Sequence, residues 1–165
     1  MDLRYLLVTQ VIIFCAYVLY IVERFGVLDS ISESWYRLGL SEKVLFTLFA
    51  WGIGIPMLLY GSESLFISGA GLCFVGAATQ FKMKEAYTRL IHYVGAIIGL
   101  FLPLFFFALS FNISVPLMVQ IFGSLIIIFI EEIKHKLWWI EILGFMTVMV
   151  GMHYAIPLME SVGYW

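Results

Sequence analysis

Apolar residues in this chain gather into six long blocks, covering 3–22, 44–60, 65–81, 90–111, 115–130 and 138–156. Charged residues fall between the blocks, apart from Arg4 at the start of the first and Glu141 one turn into the last. A bilayer core about 30 Å thick is crossed by about 20 apolar residues of helix, with a range of about 17–25. Six blocks therefore predict six transmembrane helices, several of them near the short limit. The blocks lack the strict alternation of barrel strands, and no open sheet edge survives in hydrocarbon. The expected fold is an all-α integral membrane bundle, one domain over 1–165. The longest gap has a pattern of its own. Leu28, Ile31, Trp35 and Leu38 recur at helical spacing, with Asp29, Ser32, Glu33 and Arg37 on other faces. This predicts a short amphipathic helix lying in the membrane interface. Ser30-x-x-Glu33 is a capping box for its start, with the hydroxyl on the Glu33 amide and the carboxylate on the Ser30 amide.

Composition agrees with this reading. The chain has 165 residues, 63% hydrophobic and 12% charged. Soluble domains run about 45–50% apolar and about 25% charged, so a water-soluble enzyme is excluded. A net charge of -2 without a basic block excludes nucleic acid as a partner. Basic residues also set the orientation. Arg24, Arg37 and Lys43 lie in the first gap, Lys82, Lys84 and Arg89 in the third, and Lys134 and Lys136 in the fifth; only Arg4 lies elsewhere. These gaps share one side only if six spans alternate. Loops one, three and five are thus expected in the cytoplasm and both termini outside, in the cell membrane (the inner membrane of a bacterium). Glu23-Arg24-Phe25 after the first block is no signal-peptide cleavage site, so that block is read as a retained helix.

Between membrane helices, small residues permit close backbone approach. Gly69, Cys73 and Ala77 recur every four positions in the third block, and the fourth holds Gly95-x-x-x-Gly99. These stripes predict that the third and fourth helices pack on each other. Cys15 and Cys73 read as buried apolar fillers. Trp35, Tyr36, Tyr60, Tyr87, Trp138, Trp139, Tyr164 and Trp165 fall near block ends, as an aromatic belt would. Asn112-Ile113-Ser114 reads as a turn between helices rather than a glycosylation acceptor.

Polar residues at membrane depth are costly and mark candidate sites. On the cytoplasmic side, Gln80 ends the third block, His92 and Tyr93 open the fourth, and Glu141 lies one turn into the sixth. With Ser32 and Tyr36 from the first loop they form the candidate ligand-binding set. His92 and Glu141 are expected at matching depth, as a pair tying two helices together. Thr9, Gln10, Gln120, His153 and Tyr154 form a second layer toward the outside. Three dispersed histidines without HxxxH or HExxH spacing predict no metal site, and no cofactor or catalytic residue is assigned.

The order Ser30-Ile31-Ser32-x-x-x-Tyr36, Gly61, His92-Tyr93 and Trp139-x-Glu141 resembles a group of small uncharacterised bacterial polytopic membrane proteins. More remotely, it is similar to the CREST superfamily of seven-helix membrane hydrolases, which includes alkaline ceramidases and adiponectin-type receptors. That likeness implies Ser, Asp and His around zinc. The last block here has only His153, followed by Pro157, and none of the blocks contains an Asp.

Three functions fit these residues. The first is binding or permeation of a small solute at a cytoplasm-facing polar pocket lined by Ser32, Tyr36, Gln80, His92, Tyr93 and Glu141, in a chain that self-associates or acts alone. The second is a non-catalytic membrane partner or assembly factor, contacting another membrane protein and the lipid bilayer. The third is an intramembrane hydrolase acting on a lipid-like substrate, with His92 as acid/base and Glu141 orienting it.

Overall fold

The computed structural model describes residues 3–78 and 86–163, with the side chains at 78 and 86–89 excepted. All regular structure among them is helical: α1 (Leu3–Phe25), α2 (Ser34–Arg37), α3 (Lys43–Leu58), α4 (Glu63–Ala78), α5 (Ala86–Phe111), α6 (Val115–Phe129) and α7 (Lys136–Ser161). Three helices, Leu3–Phe25, Leu90–Phe111 and Lys136–Ser161, are long and apolar enough to cross a membrane; Lys43–Leu58, Glu63–Ala77 and Val115–Phe129 are shorter apolar helices.

Apolar periodicity explains how α1 is used. Its buried residues Leu3, Leu7, Gln10, Phe14, Tyr17 and Ile21 step by four and three, a single stripe on a helix of about 3.6 residues per turn. The opposite face presents Tyr5, Val8, Ile12 and Leu19 to the surroundings. An exterior this apolar suits lipid rather than water.

Side-chain contacts give each helix's direction. Gln10 and Tyr17 of α1 meet Ile53 and Phe46 of α3, so these two run antiparallel. Gly54 meets Gly69 while Ala50 meets Gly76, making α3 and α4 antiparallel. On α5, Gly95 meets Val75 and Gly99 meets Leu72 of α4, again antiparallel. Leu100 meets Gly144 and Phe107 meets Gly151, so α5 and α7 run parallel. Lys136 of α7 meets Ile128 of α6 and Thr147 meets Gln120, so α6 and α7 are antiparallel. Direction thus alternates along the six longer helices, and Arg24, Arg37, Lys43, Lys134 and Lys136 share one end, the basic end.

Helices α1, α3, α4, α5 and α7 close into a ring, with α6 outside it against α7 and, less closely, α5. Aromatic rings fill the ring's interior. Tyr17 stacks on Phe49 at 4.3 Å between centroids, and Phe145 packs on Phe14 at 5.3 Å and on Phe49 at 5.5 Å.

The small residues of α4 serve two neighbours. Gly69 and Cys73 face α3, where a Cβ on Gly54 would lie 2.7 Å from the Gly69 carbonyl oxygen. Gly71 and Leu72 face α5, where a Cβ on Gly71 would lie 2.8 Å from the Gly95 oxygen. Residues 69 and 71 are about 200° apart around a helix of 3.6 residues per turn, so one small-residue stripe cannot meet α5 as well as α3. The third and fourth spans, α4 and α5, do pack on each other as expected, but α4 meets Gly95 and Gly99 through Gly71, Leu72 and Val75 rather than through Gly69 and Cys73. Ala77 is half-buried on α4.

The first loop departs from its expected form. Only Ser34–Arg37 is helical, and Leu28, Ile31 and Leu38 are buried in the protein core instead of facing the membrane interface. Ser34 holds the segment inside, 2.5 Å from the Tyr17 hydroxyl and donating to the Ile31 carbonyl. Half of the capping box forms, with the Glu33 amide donating to Ser30 Oγ at 3.1 Å. The Glu33 carboxylate accepts from the Asp29 amide instead of Ser30, and from Arg37.

Burial also revises other expectations. Tyr60 and Trp138, at 0% and 1% exposure, are core residues, while Tyr36 and Trp139 keep exposed rings. Tyr87, Tyr164 and Trp165 lie outside the described side chains. Cys15 is exposed rather than buried. Asn112 ends α5 with a left-handed φ of 56°, a conformation that Asn tolerates better than most residues.

Candidate functional site

A cavity of about 510 Å³ opens between α5, α6 and α7 beneath the 30–36 segment. That volume is within the range of small-molecule sites, about 300–1,000 Å³. Ser32, Tyr36, His92, Tyr93 and Glu141 all line it; Gln80 lies outside the described residues.

On α5 the lining is His92, Tyr93, Ala96, Ile97, Leu100 and Phe101. These are pairs repeated every four positions, the signature of one helix face. From 92 to 101 the face descends about 13 Å at 1.5 Å per residue, close to half of a 30 Å hydrocarbon core. Leu137, Ile140 and Glu141 supply the α7 wall, and Ser30, Ser32, Glu33 and Tyr36 form the cover. The cavity is therefore most polar toward the basic end and mainly apolar below, with Glu141 of α7 and Gln120 of α6 as the polar side chains lower in its wall.

The expected His92–Glu141 pair does not form. Glu141 accepts a hydrogen bond from the Ile31 amide at 2.5 Å, bracing the cover against α7. Helix register is the reason. The α5–α7 contacts pair residues 44 positions apart, which sets Glu141 level with residue 97. His92 sits about 7.5 Å nearer the basic end by helical rise. Counting from the predicted block starts conceals that offset.

His92 is 3% exposed. Its ring hydrogen-bonds the Val75 backbone on α4, and its Nδ1 is buried without a partner. Among the described residues the only other such atom is Trp35 Nε1, whose ring carries the Lys43 ammonium 3.8 Å above it. With the ring N–H given to Val75, Nδ1 presents an unused lone pair.

Gln120, expected in the outer layer, reaches the cavity because α6 places it mid-depth. It is 1% exposed and satisfied: Nε2 donates to Ser124 Oγ at 3.2 Å, and Oε1 accepts from the Thr147 hydroxyl at 3.2 Å. Gln10 is likewise a structural bridge, donating to the Ile53 carbonyl at 2.7 Å and accepting from Tyr60. His153 and Tyr154 are exposed on α7, away from both.

Charge within the lining is one-signed. Glu33 and Glu141 are its charged residues, with no Lys or Arg among the described lining residues. Arg37 is spent on Glu33 at 2.8 Å. Burial raises the Tyr36 phenol above its usual pKa, with Tyr93 adding to the shift, so the phenol stays neutral at physiological pH.

No family model, curated protein or solved structure matches the chain.

A larger groove of about 650 Å³ runs between α6 and α7 at the opposite end, lined by residues such as Val119, Leu143, Met146 and Val150. It contains neither a buried unpartnered polar atom nor a charged residue. Size alone would select it; chemistry selects the cavity under the 30–36 segment.

Proposed function

We propose that this chain is a six-span membrane protein with its basic end in the cytoplasm, and that it binds an amphiphilic small molecule in the α5–α6–α7 cavity. The head would sit under the 30–36 cover and the tail would run toward the bilayer middle between Ala96, Ile97, Leu100 and Phe101. Helix alternation, apolar outer faces and the one-sided basic residues support the topology. The observation that carries the function is the sharing of one cavity by His92, whose buried Nδ1 has no partner, and an apolar wall about 13 Å deep. Aromatic packing inside the ring supports binding over passage of a solute through a single chain.

A dodecyl alcohol carrying a tail-end nitroxide tests this reading by saturable tryptophan quenching in detergent. Saturable quenching is expected in the wild type and its loss in Ala96→Trp, whose ring fills the cavity, with thermal stability preserved. No saturable quenching in the wild type, or equal quenching in both, overturns it.

A further inference from the structure

The cavity's polar end holds two groups read as pure acceptors, His92 Nδ1 and the Glu141 carboxylate, among the Ser30, Ser32, Tyr36 and Tyr93 hydroxyls, which donate or accept. His92 Nδ1 is buried and unpartnered, Glu141 supplies a carboxylate, and the Ser30 and Ser32 hydroxyls, 3.1 Å apart, line the same cavity. The Ser30 oxygen already accepts from the Glu33 amide, so the cover adds hydroxyls and no fixed positive charge. Among the described cations at this end, Arg37 is paired with Glu33, Arg24 with Glu42, Lys43 lies over the Trp35 ring and Lys136 donates to the Ile128 carbonyl at 2.7 Å, and none of them lines the cavity. Resting on the amphiphile reading above, we infer that the head group recognised here donates hydrogen bonds and carries no negative charge, as in a hydroxyl- or amine-headed single-chain amphiphile.

The physical argument is a matching of donors to acceptors. A head with an O–H or N–H fills the His92 lone pair, which otherwise stays buried without a hydrogen bond. A phosphate or carboxylate head brings only acceptors and a negative charge. It would leave Nδ1 unmatched and lie beside Glu141 without a Lys or Arg in the described lining to neutralise it. An amine head adds attraction to the carboxylate, and a diol head offers donors without charge. These are two sources of one chemistry, which separate probes distinguish.

The test is photo-crosslinking of the full chain in detergent. Dodecyl probes with a tail-end diazirine carry a glycerol ether, a primary amine or a phosphate as head, and labelled peptides are mapped by mass spectrometry. Saturable labelling of the Leu100–Phe101 and Leu137–Ile140 peptides is expected from the diol and the amine. Labelling by the phosphate should need about tenfold higher concentration, as one unmatched buried hydrogen-bonding group implies. His92→Leu should remove the preference by weakening the diol and amine while leaving the phosphate unchanged. If that variant does not fold, the head series on the wild type decides alone. Equal labelling by all heads, or preference for phosphate, overturns the inference while the cavity reading stands. Absence of saturable labelling by every probe overturns the cavity reading itself.

Discussion

Glu141→Ala should loosen the cover of the cavity before anything else in the molecule. The Glu141 carboxylate accepts the Ile31 amide at 2.5 Å, and Ile31 is 3% exposed, so water cannot readily replace the lost acceptor. A buried N–H left without a partner costs about 1–3 kcal/mol. For a chain of this size each kcal/mol moves Tm by about 2–4 °C, which places the fall at about 2–12 °C. The loss should be local. Amide exchange over residues 28–36 should accelerate by about 5- to 150-fold, the same free energy read as an opening equilibrium, while α3 and α4 stay protected. Glu141→Gln keeps a carbonyl oxygen at the same reach and should recover more than half of the loss. Thermal melts and hydrogen exchange by mass spectrometry in detergent read both quantities. A Glu141→Ala protein with unchanged melting and unchanged exchange at 28–36 would refute the brace. A Gln variant as damaged as Ala would show that charge, not the hydrogen bond, does the holding.

Further outcomes follow from other contacts. Tyr17→Phe removes the hydroxyl 2.5 Å from Ser34 Oγ and should cost about 0.5–1.5 kcal/mol in a chemical-denaturation or thermal series, again with faster exchange at 28–36. Gly71→Ala sets a Cβ 2.8 Å from the Gly95 backbone oxygen and should destabilise by about 1–3 kcal/mol. Gly123→Ala meets only the flexible end of Leu143, so its melting temperature should fall less; the reverse order would contradict the packing of α4 on α5. Glu42 is held below the usual carboxylate range by the Gly39 amide and then by Arg24. Its folded pKa lies under its unfolded one, so its contribution is present above the unfolded value and disappears as pH falls through the folded value. Glu42→Gln should therefore flatten the acid limb of a Tm–pH curve, and an unchanged limb would remove Glu42 from the acid response.

Much of the site was legible before any coordinates. Ser32, Tyr36, His92, Tyr93 and Glu141 are polar residues in the first loop or within a turn of the basic end of their blocks, and all of them reach the cavity. Helical rise, a local property, places His92, Tyr93 and Glu141 along their own helices, whereas Ser32 lies in a turn and Tyr36 on the short α2. The α5 stripe 92, 93, 96, 97, 100, 101 was also present in the sequence as a helical face running downward from His92. Gln120 was misplaced because a residue near mid-depth belongs to neither interface. The tucked first loop was misread because its apolar residues suit a membrane surface and a protein core equally well.

The sequence by itself determined where the helices lie and which end is basic. Those follow from rise per residue and from the cost of charge in hydrocarbon, which act on a segment without regard to its neighbours. Only the tertiary structure decided that Gly69 meets α3 while Gly71 meets α5, that Glu141 braces Ile31 instead of His92, and that α6 stands aside to leave a cavity. Where a helix is apolar on every face the faces are nearly equivalent, so rotation, register and partner are chosen by close packing and a few hydrogen bonds between helices.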